Sequence, residues 1–184
     1  MICLQFSLSS SFLFLALWKN NQCLISVKEE NVRQHSEKFL SRLGQSLKQI
    51  NHSLKDISEV YFTSQPSGQT GLRVSLSFLS TLQFLNPQIK IYHINTLLLQ
   101  AGNNNCLSLL IIDSQGNKHH LAIYQNKKCL LKDKVVSKEE LEKIKTEFLE
   151  LPILKDFLEI DFLTNFQKLK DDFILLDKIE EINY

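Results

Sequence analysis

Residues 63–78 read TSQPSGQTGLRVSLSF and contain a change from strand to helix. The first half is rich in serine, glycine and proline, which is typical of a tight turn. The second half places leucine, valine and phenylalanine at helical spacing. Residues 60–63 form a short β-branched and aromatic strand before the turn. The segment therefore predicts a strand, a tight turn and a helix to about Leu85, which Asn86-Pro87 ends because proline disfavours helical backbone in the residue before it.

The turn has the composition of a phosphate-binding loop. Backbone N–H groups at a helix N-terminus can bind an anion, and Pro66, Gly68, Thr70 and Gly71 would form that turn. No lysine follows Gly71, so the sequence is not a P-loop. We interpret the turn as a vestigial phosphate site that sets where the helix begins. A working nucleotide site is the alternative.

The helix after the turn is apolar on two sides. One stripe contains Leu72, Leu76, Leu79 and Leu82, and a second contains Val74, Phe78 and Leu85. A helix of this kind needs cover on more than one side. The serines between the stripes would let a second helix approach closely.

The preceding helix, from about Val32 to Ile50, buries a stripe that includes Phe39 and Leu40 and has a polar outer surface. We predict a paired-helix docking face formed by Glu37, Ser41, Gly44, Lys48, Arg73, Ser77, Ser80 and Phe84. The alternative is that the second half of the chain or loops cover both helices.

The order of elements predicts an α/β fold. A three-stranded antiparallel meander is expected before residue 28, and strands at 60–63 and 89–94 would complete a mixed five-stranded sheet. Ser53 and Asp56 have the spacing of a capping box, and Asn95 or Thr96 can cap the helix that follows the strand at 89–94. A second set of strands at 107–112, 120–124 and 129–131 and a helix with Ser137 as its N-cap repeat the first half in reduced form. The tail from Pro152 is expected to be partly helical, with a last strand at 173–176. The predicted domains are residues 1–101 and 102–184.

Composition argues against several functions. Hydrophobic residues make up 43% of the 184 residues and the net charge is +1, so the chain is neither disordered nor strongly basic. The four cysteines lack a C-x-x-C pair and predict core thiols in a reduced, cytoplasmic protein. His119 and His120 are adjacent, so a strand would point them to opposite sides. We predict no catalytic residue, no metal and no cofactor, and no membrane segment.

Several short motifs, taken in order, resemble the TsaB (YeaZ) family, within the actin-like ATPase or ribonuclease H-like fold. The run from Pro66 to Arg73 is similar to the family's P-G-S-F-T-G-L-R, and Ser53 begins a match to S-L-x-D-L. His35-Ser36-Glu37 stands at a helix start, and Asn95 begins a match to S-S-L. The chain is identified as a divergent member with a reduced second domain. It departs from the family in having no acid before Glu29, where a carboxylate usually ends the first strand.

The resemblance implies a partner protein. A TsaB-like subunit would bind a TsaD-like transferase through helices of its first domain and support formation of N6-threonylcarbamoyladenosine on tRNA beside the anticodon. TsaE would join as an ATPase, tRNA would be contacted only indirectly, and the same helices could form a homodimer. The alternative is a small nucleotide-binding enzyme of the same fold.

Overall fold

The structure is a computed structural model that describes residues 1–9, 12–32, 34–111, 117–126, 128–158, 160–179 and 182. Its strands are β1 (Ile2–Ser7), β2 (Leu13–Lys19), β3 (Gln22–Glu29), β4 (Ile57–Thr63), β5 (Lys90–Ile94), β6 (Cys106–Ile111), β7 (Lys118–Gln125), β8 (Lys128–Ser137), β9 (Ile153–Lys155) and β10 (Ile174–Leu175). Its α-helices are α1 (His35–Gln49), α2 (Gln69–Leu85), α3 (Thr96–Ala101), α4 (Lys138–Glu147) and α5 (Phe162–Leu169). Short 3-10 turns occupy Leu54–Asp56 and Lys170–Asp172.

The first sheet has six strands in the order β10-β5-β4-β1-β2-β3. The predicted meander is confirmed, because β1 pairs antiparallel with β2 and β2 with β3. Strand β2 is an unbroken apolar run because it is buried on both faces, whereas the edge strand β3 alternates between partly buried and exposed residues. The predicted count of five strands was wrong, since Ile174 and Leu175 pair antiparallel with β5 and add a sixth.

Helices α1 and α2 pack on this sheet through aromatic rings. The Phe39 ring lies 4.9 Å from Phe6 and 5.0 Å from Phe78, measured between centroids, and Phe6 lies 5.8 Å from Phe62. The predicted core stripe of α2 is buried, at Leu72, Leu76, Leu79 and Leu82. Contacts of this kind hold both helices in one orientation on the sheet.

The second sheet repeats part of the first. Its order is β8-β7-β6-β9, with β6 antiparallel to β7 and parallel to β9, as β1 is antiparallel to β2 and parallel to β4. The predicted reduced repeat is therefore present. The tail prediction did not include β9. Its three residues follow Pro152, and they are a strand because they pair with Leu107 to Leu109.

The chain divides into two compact units. The first comprises Met1–Ile94 and Phe173–Tyr184, and the second Asn95–Asp172. The predicted boundary after residue 101 differs from this division, because α3 belongs with the second unit and the C-terminal segment returns to β5. Among the helices that the structure describes, none is long and apolar enough to cross a membrane.

Candidate functional site

The first turn of α2 is closed by the backbone that follows β1. A Cβ atom built on Gly71 would lie 1.8 Å from the Leu8 carbonyl oxygen, so only glycine allows this approach. Ser75 Oγ donates a hydrogen bond to the Gly71 carbonyl at 2.9 Å. Of the other turn residues, Pro66 is buried, whereas Gly68 and Thr70 are exposed. Gly71 thus has a packing role at the position where a phosphate turn would leave room for an anion.

Hydroxyl groups lie at the end of β1. The Ser7 and Thr63 side-chain oxygens are 2.8 Å apart, and Ser7 and Ser9 oxygens are 3.3 Å apart. All three residues are buried. Neutral hydroxyls that bond to one another are poor substitutes for the carboxylates with which proteins hold magnesium. Ser64 Oγ nearby lies 3.1 Å from His93 Nδ1 and donates to the Ile94 carbonyl.

An apolar groove of 430 Å³ lies between α1 and α2. We call it the α1–α2 groove, and it is lined by Ser36, Leu40, Leu54, Arg73, Val74, Ser77, Phe78, Thr81, Leu82 and Leu85. Three of these side chains leave large apolar areas in solvent: Leu40 is 53% exposed, Leu85 53% and Leu54 36%. Of the lining residues only Arg73 is charged. A continuous apolar groove with few charges is typical of a surface that binds a helix or another protein.

The predicted docking residues are all on the surface, but only some border the groove. Glu37, Ser41, Gly44, Lys48, Arg73, Ser77, Ser80 and Phe84 are exposed. Arg73 and Ser77 line the groove, as do the predicted second-stripe residues Val74, Phe78 and Leu85. The remaining predicted residues are not part of the groove lining.

Leu40 and Leu54 line the groove but belong neither to the predicted docking set nor to the predicted second stripe. Leu40 was assigned to the buried stripe, yet it is 53% exposed, because Phe39 occupies the core and successive residues of a helix point in different directions. The adjacent pair Phe39-Leu40 was the available signal. Leu54 lies on the 3-10 turn opened by Ser53, and only the tertiary fold brings that turn to the groove.

Charged side chains are held on the side of α1 next to β3. Arg42 Nε and Glu29 Oε1 form an ion pair, and Lys38 Nζ lies 3.5 Å from Glu29 Oε2. The hydrogen bond from Arg42 lowers the pKa of the Glu29 carboxyl. At the capping box, the Ser53 backbone N–H and hydroxyl donate to Asp56 Oδ2 at 2.7 and 2.9 Å, and these bonds lower the pKa of Asp56. These charges are engaged locally and lie outside the groove lining.

Buried His35 begins α1, beside the groove residue Ser36. Burial lowers the pKa of its imidazole, so the neutral form is favoured. His119 and His120 both lie in β7; His119 is buried and His120 bonds to Asp133. Within the described residues, no group of three histidine, cysteine or acidic side chains could hold a metal ion. The four cysteines form no disulfide among the described residues, but Cys129 is exposed, so the prediction of a core thiol was wrong at that position.

The repeated arrangement of an antiparallel meander, a helix and a parallel strand defines an α/β protein of the actin-like, ribonuclease H-like class. A family model described as "TsaD: tRNA N6-adenosine threonylcarbamoyltransferase" matches residues 26–162, and the chain belongs to this family. The match runs from within β3 to the first residue of α5. It includes β4, β5 and all four strands of the second sheet, whereas β1, β2 and β10 lie outside it.

Solved structures agree on the fold. YeaZ from Pseudomonas aeruginosa superposes with a TM-score of 0.68 at 14% identity, over 97% of this chain and 97% of its own. An uncharacterized protein with similarity to peptidase YeaZ from Pseudomonas aeruginosa gives a TM-score of 0.62 at 17% identity, over 75% of this chain and 67% of its own. At such identities the likeness concerns the fold alone.

Proposed function

We propose that this chain is a non-catalytic subunit that binds a TsaD-like transferase and supports N6-threonylcarbamoyladenosine formation on tRNA. The observation that carries the proposal is the α1–α2 groove, with Leu40, Leu54 and Leu85 exposed side by side in a chain of this family. Burying such side chains against a partner contributes about 25 cal/mol per Å² of apolar surface removed from water. The occupant is a helix or helix pair of the transferase.

The region around Gly71 supports a binding role over catalysis. The Leu8 carbonyl occupies the space beside the first turn of α2, and buried serine and threonine hydroxyls stand at the end of β1. A carbonyl oxygen carries partial negative charge and would oppose a phosphate there. A nucleotide-hydrolysing role would require both features to rearrange. The proposed complex includes TsaE as a further partner, and tRNA reaches it through the transferase.

The test is the affinity of this chain for the TsaD-like protein of the same organism. Ser77→Glu introduces a carboxylate into the apolar groove, and we expect an affinity loss of about tenfold or more, because docking would remove that charge from water in a lining whose one charged residue is Arg73. Ser80→Glu is the matched control, since it adds the same charge to the same helix outside the groove lining. We expect less than about a threefold loss there.

If Ser77→Glu binds the TsaD-like protein as tightly as the wild type does, and its circular-dichroism spectrum is unchanged, the groove is not the binding surface. Equal losses in both variants would instead extend the contact on α2 beyond the groove lining. A modification assay with purified transferase, with and without this chain, measures the supporting role directly. Calorimetry with ATP and magnesium addresses the enzymatic alternative, because micromolar binding would favour a nucleotide-dependent enzyme.

A further inference from the structure

The second unit contains a pocket that the proposed function does not use. Its volume is 550 Å³, inside the range of about 300 to 1,000 Å³ that small-molecule sites occupy. Its walls come from Tyr124 of β7, from β8, from α5 with the 3-10 turn after it, and from α3 with the loop that follows. All the lining residues belong to the second unit. We call it the second-unit pocket.

One wall of the second-unit pocket is rigidly held. Gly102 has a φ of +59°, and a Cβ there would lie 2.4 Å from Asn165 Oδ1. Asn165 Nδ2 donates to the Leu99 carbonyl at 2.8 Å, and Asn104 Nδ2 donates to the Ala101 carbonyl at 2.9 Å. These bonds fix the loop after α3 before any ligand arrives. A preformed wall lowers the entropy that binding would cost.

The lining of the second-unit pocket contains two lysines and two aspartates, and not all of them are held in ion pairs. Asp133 is engaged, because His120 Nδ1 lies 2.8 Å from its Oδ1. Lys132 and Lys168 form no ion pair with any residue that the structure describes. Asp172 is the other carboxylate of the lining. Neither ammonium group is held in a direct ion pair with a described residue, although Lys168 acts electrostatically on Asp161 and helps to lower the pKa of that carboxyl.

The pocket also has an apolar side. Leu98 and Leu169 are lining residues, and the buried ring of Tyr124 lies with them. Burial raises the pKa of Tyr124, so its phenol stays protonated and adds no negative charge. The pocket thus combines two lysines, two aspartates and an apolar wall.

We propose that the second-unit pocket binds a small organic anion, whose phosphate or carboxylate is held by Lys132 and Lys168 and whose apolar part packs against Leu98, Leu169 and Tyr124. Asp172 would accept a hydrogen bond from a hydroxyl or amino group of the ligand. This site is independent of the α1–α2 groove, so it can fail or succeed without changing the proposed partner.

Four probes separate the parts of this proposal in a titration followed by the backbone amide signals of Asn103, Asn104 and Cys129. Phenyl phosphate carries an anion and an apolar ring, benzoate exchanges the phosphate for a carboxylate, phenol lacks the charge, and inorganic phosphate lacks the ring. We expect saturable binding of phenyl phosphate or benzoate with a Kd of about 1 mM or below, and much weaker binding of phenol and inorganic phosphate. The tighter of the two ring anions identifies the preferred charged group.

The double variant Lys132→Gln/Lys168→Gln should weaken binding of the ring anions about tenfold, the effect expected for two partly exposed charge contacts. Lys143→Gln is the control, because Lys143 is an exposed lysine of α4 outside the pocket lining. Equal binding of phenol and phenyl phosphate would overturn the proposal. So would equal affinities in the double variant and the control, or no saturable shift of these amides by any probe up to about 10 mM.

Discussion

The first turn of α2 and the groove beside the same helix are built in opposite ways. At the turn, Gly71 and Leu8 approach so closely that no side chain fits between them. Along the groove, Leu40 and Leu85 remain half exposed with 430 Å³ of open space beside them. The turn is filled by the chain itself, whereas the groove leaves apolar surface for another molecule.

The comparison shows that a segment can keep the sequence of a functional motif while its residues serve another role. The turn keeps the glycine and threonine of a phosphate loop, yet the structure gives Gly71 a packing role. The groove has no sequence motif, and its leucines come from α1, from the 3-10 turn at Leu54–Asp56 and from α2. Residues that resemble a functional motif can therefore serve packing, while a binding surface can be assembled from unremarkable leucines.

Gly71→Ala should be the most damaging change, since it breaks the closed turn. The added methyl group meets backbone atoms of Leu8, and we expect the free energy of unfolding to fall by about 3 kcal/mol. Urea unfolding measures it. Gly44→Ala is the matched control, because a Cβ at that position of α1 would meet no described residue within 4 Å apart from the backbone of its own helix. Alanine there should raise stability by about 0.5 to 1 kcal/mol.

Similar stabilities of the two glycine variants would show that Leu8 can move away from the turn. The space beside the helix N-terminus would then be adjustable, and the contrast with the groove would weaken. Phosphate or ATP binding by Gly71→Ala alone is not expected, because the methyl group adds bulk to a place that is already filled.

A smaller effect should come from His35, at the groove end of α1. Its folded-state pKa lies below the ordinary value of 6.5, so the neutral imidazole is favoured in the fold. Its contribution to stability should be complete above pH 6.5 and should decline as the pH falls below 6.5 toward the lowered pKa. Urea unfolding between about pH 5 and pH 8 tests this.

His35→Gln keeps a side-chain N–H donor but removes the titration, so the stability difference between wild type and variant should change with pH only below about 6.5. A nuclear magnetic resonance titration of His35 gives an independent measure. A midpoint at or above 6.5 would contradict the expected direction of the shift.

Phe84→Ser should have the smallest effect on stability. The side chain is 85% exposed and lies outside the groove lining, so we expect a change within about 0.5 kcal/mol. Affinity for the TsaD-like protein should fall less than in Ser77→Glu. A larger loss of affinity than in Ser77→Glu would extend the contact along α2 to Phe84, beyond the groove lining, and make the groove only part of it.

Elements with local signals were predicted well from the sequence. The capping box at Ser53 and the N-cap of α4 at Ser137 are both present, and Asn95 accepts hydrogen bonds from Leu97 and Leu98 at the start of α3. In each case the donor and acceptor lie within three residues of one another. Short-range bonds of this kind depend little on the rest of the fold.

Elements defined by distant partners were predicted less well. Strand β10 was expected without a partner, and its pairing with β5 joins segments about eighty residues apart in the sequence. Strand β9 was assigned to a partly helical tail, because three residues carry too little periodicity to indicate a strand. The exposure of Leu40 was not predicted either, because the sequence does not indicate which of the adjacent residues Phe39 and Leu40 enters the core.

The sequence by itself determined the α/β class, the position of the turn before α2 and the two apolar stripes of that helix, because hydrophobic periodicity and capping act over a few residues. Only the tertiary structure decided that Leu8 closes the turn at Gly71, and that Leu40, Leu54 and Leu85 form one groove. Both features join residues that are distant in the chain. Their contact depends on how α1 and α2 pack against the sheet, which no local pattern specifies.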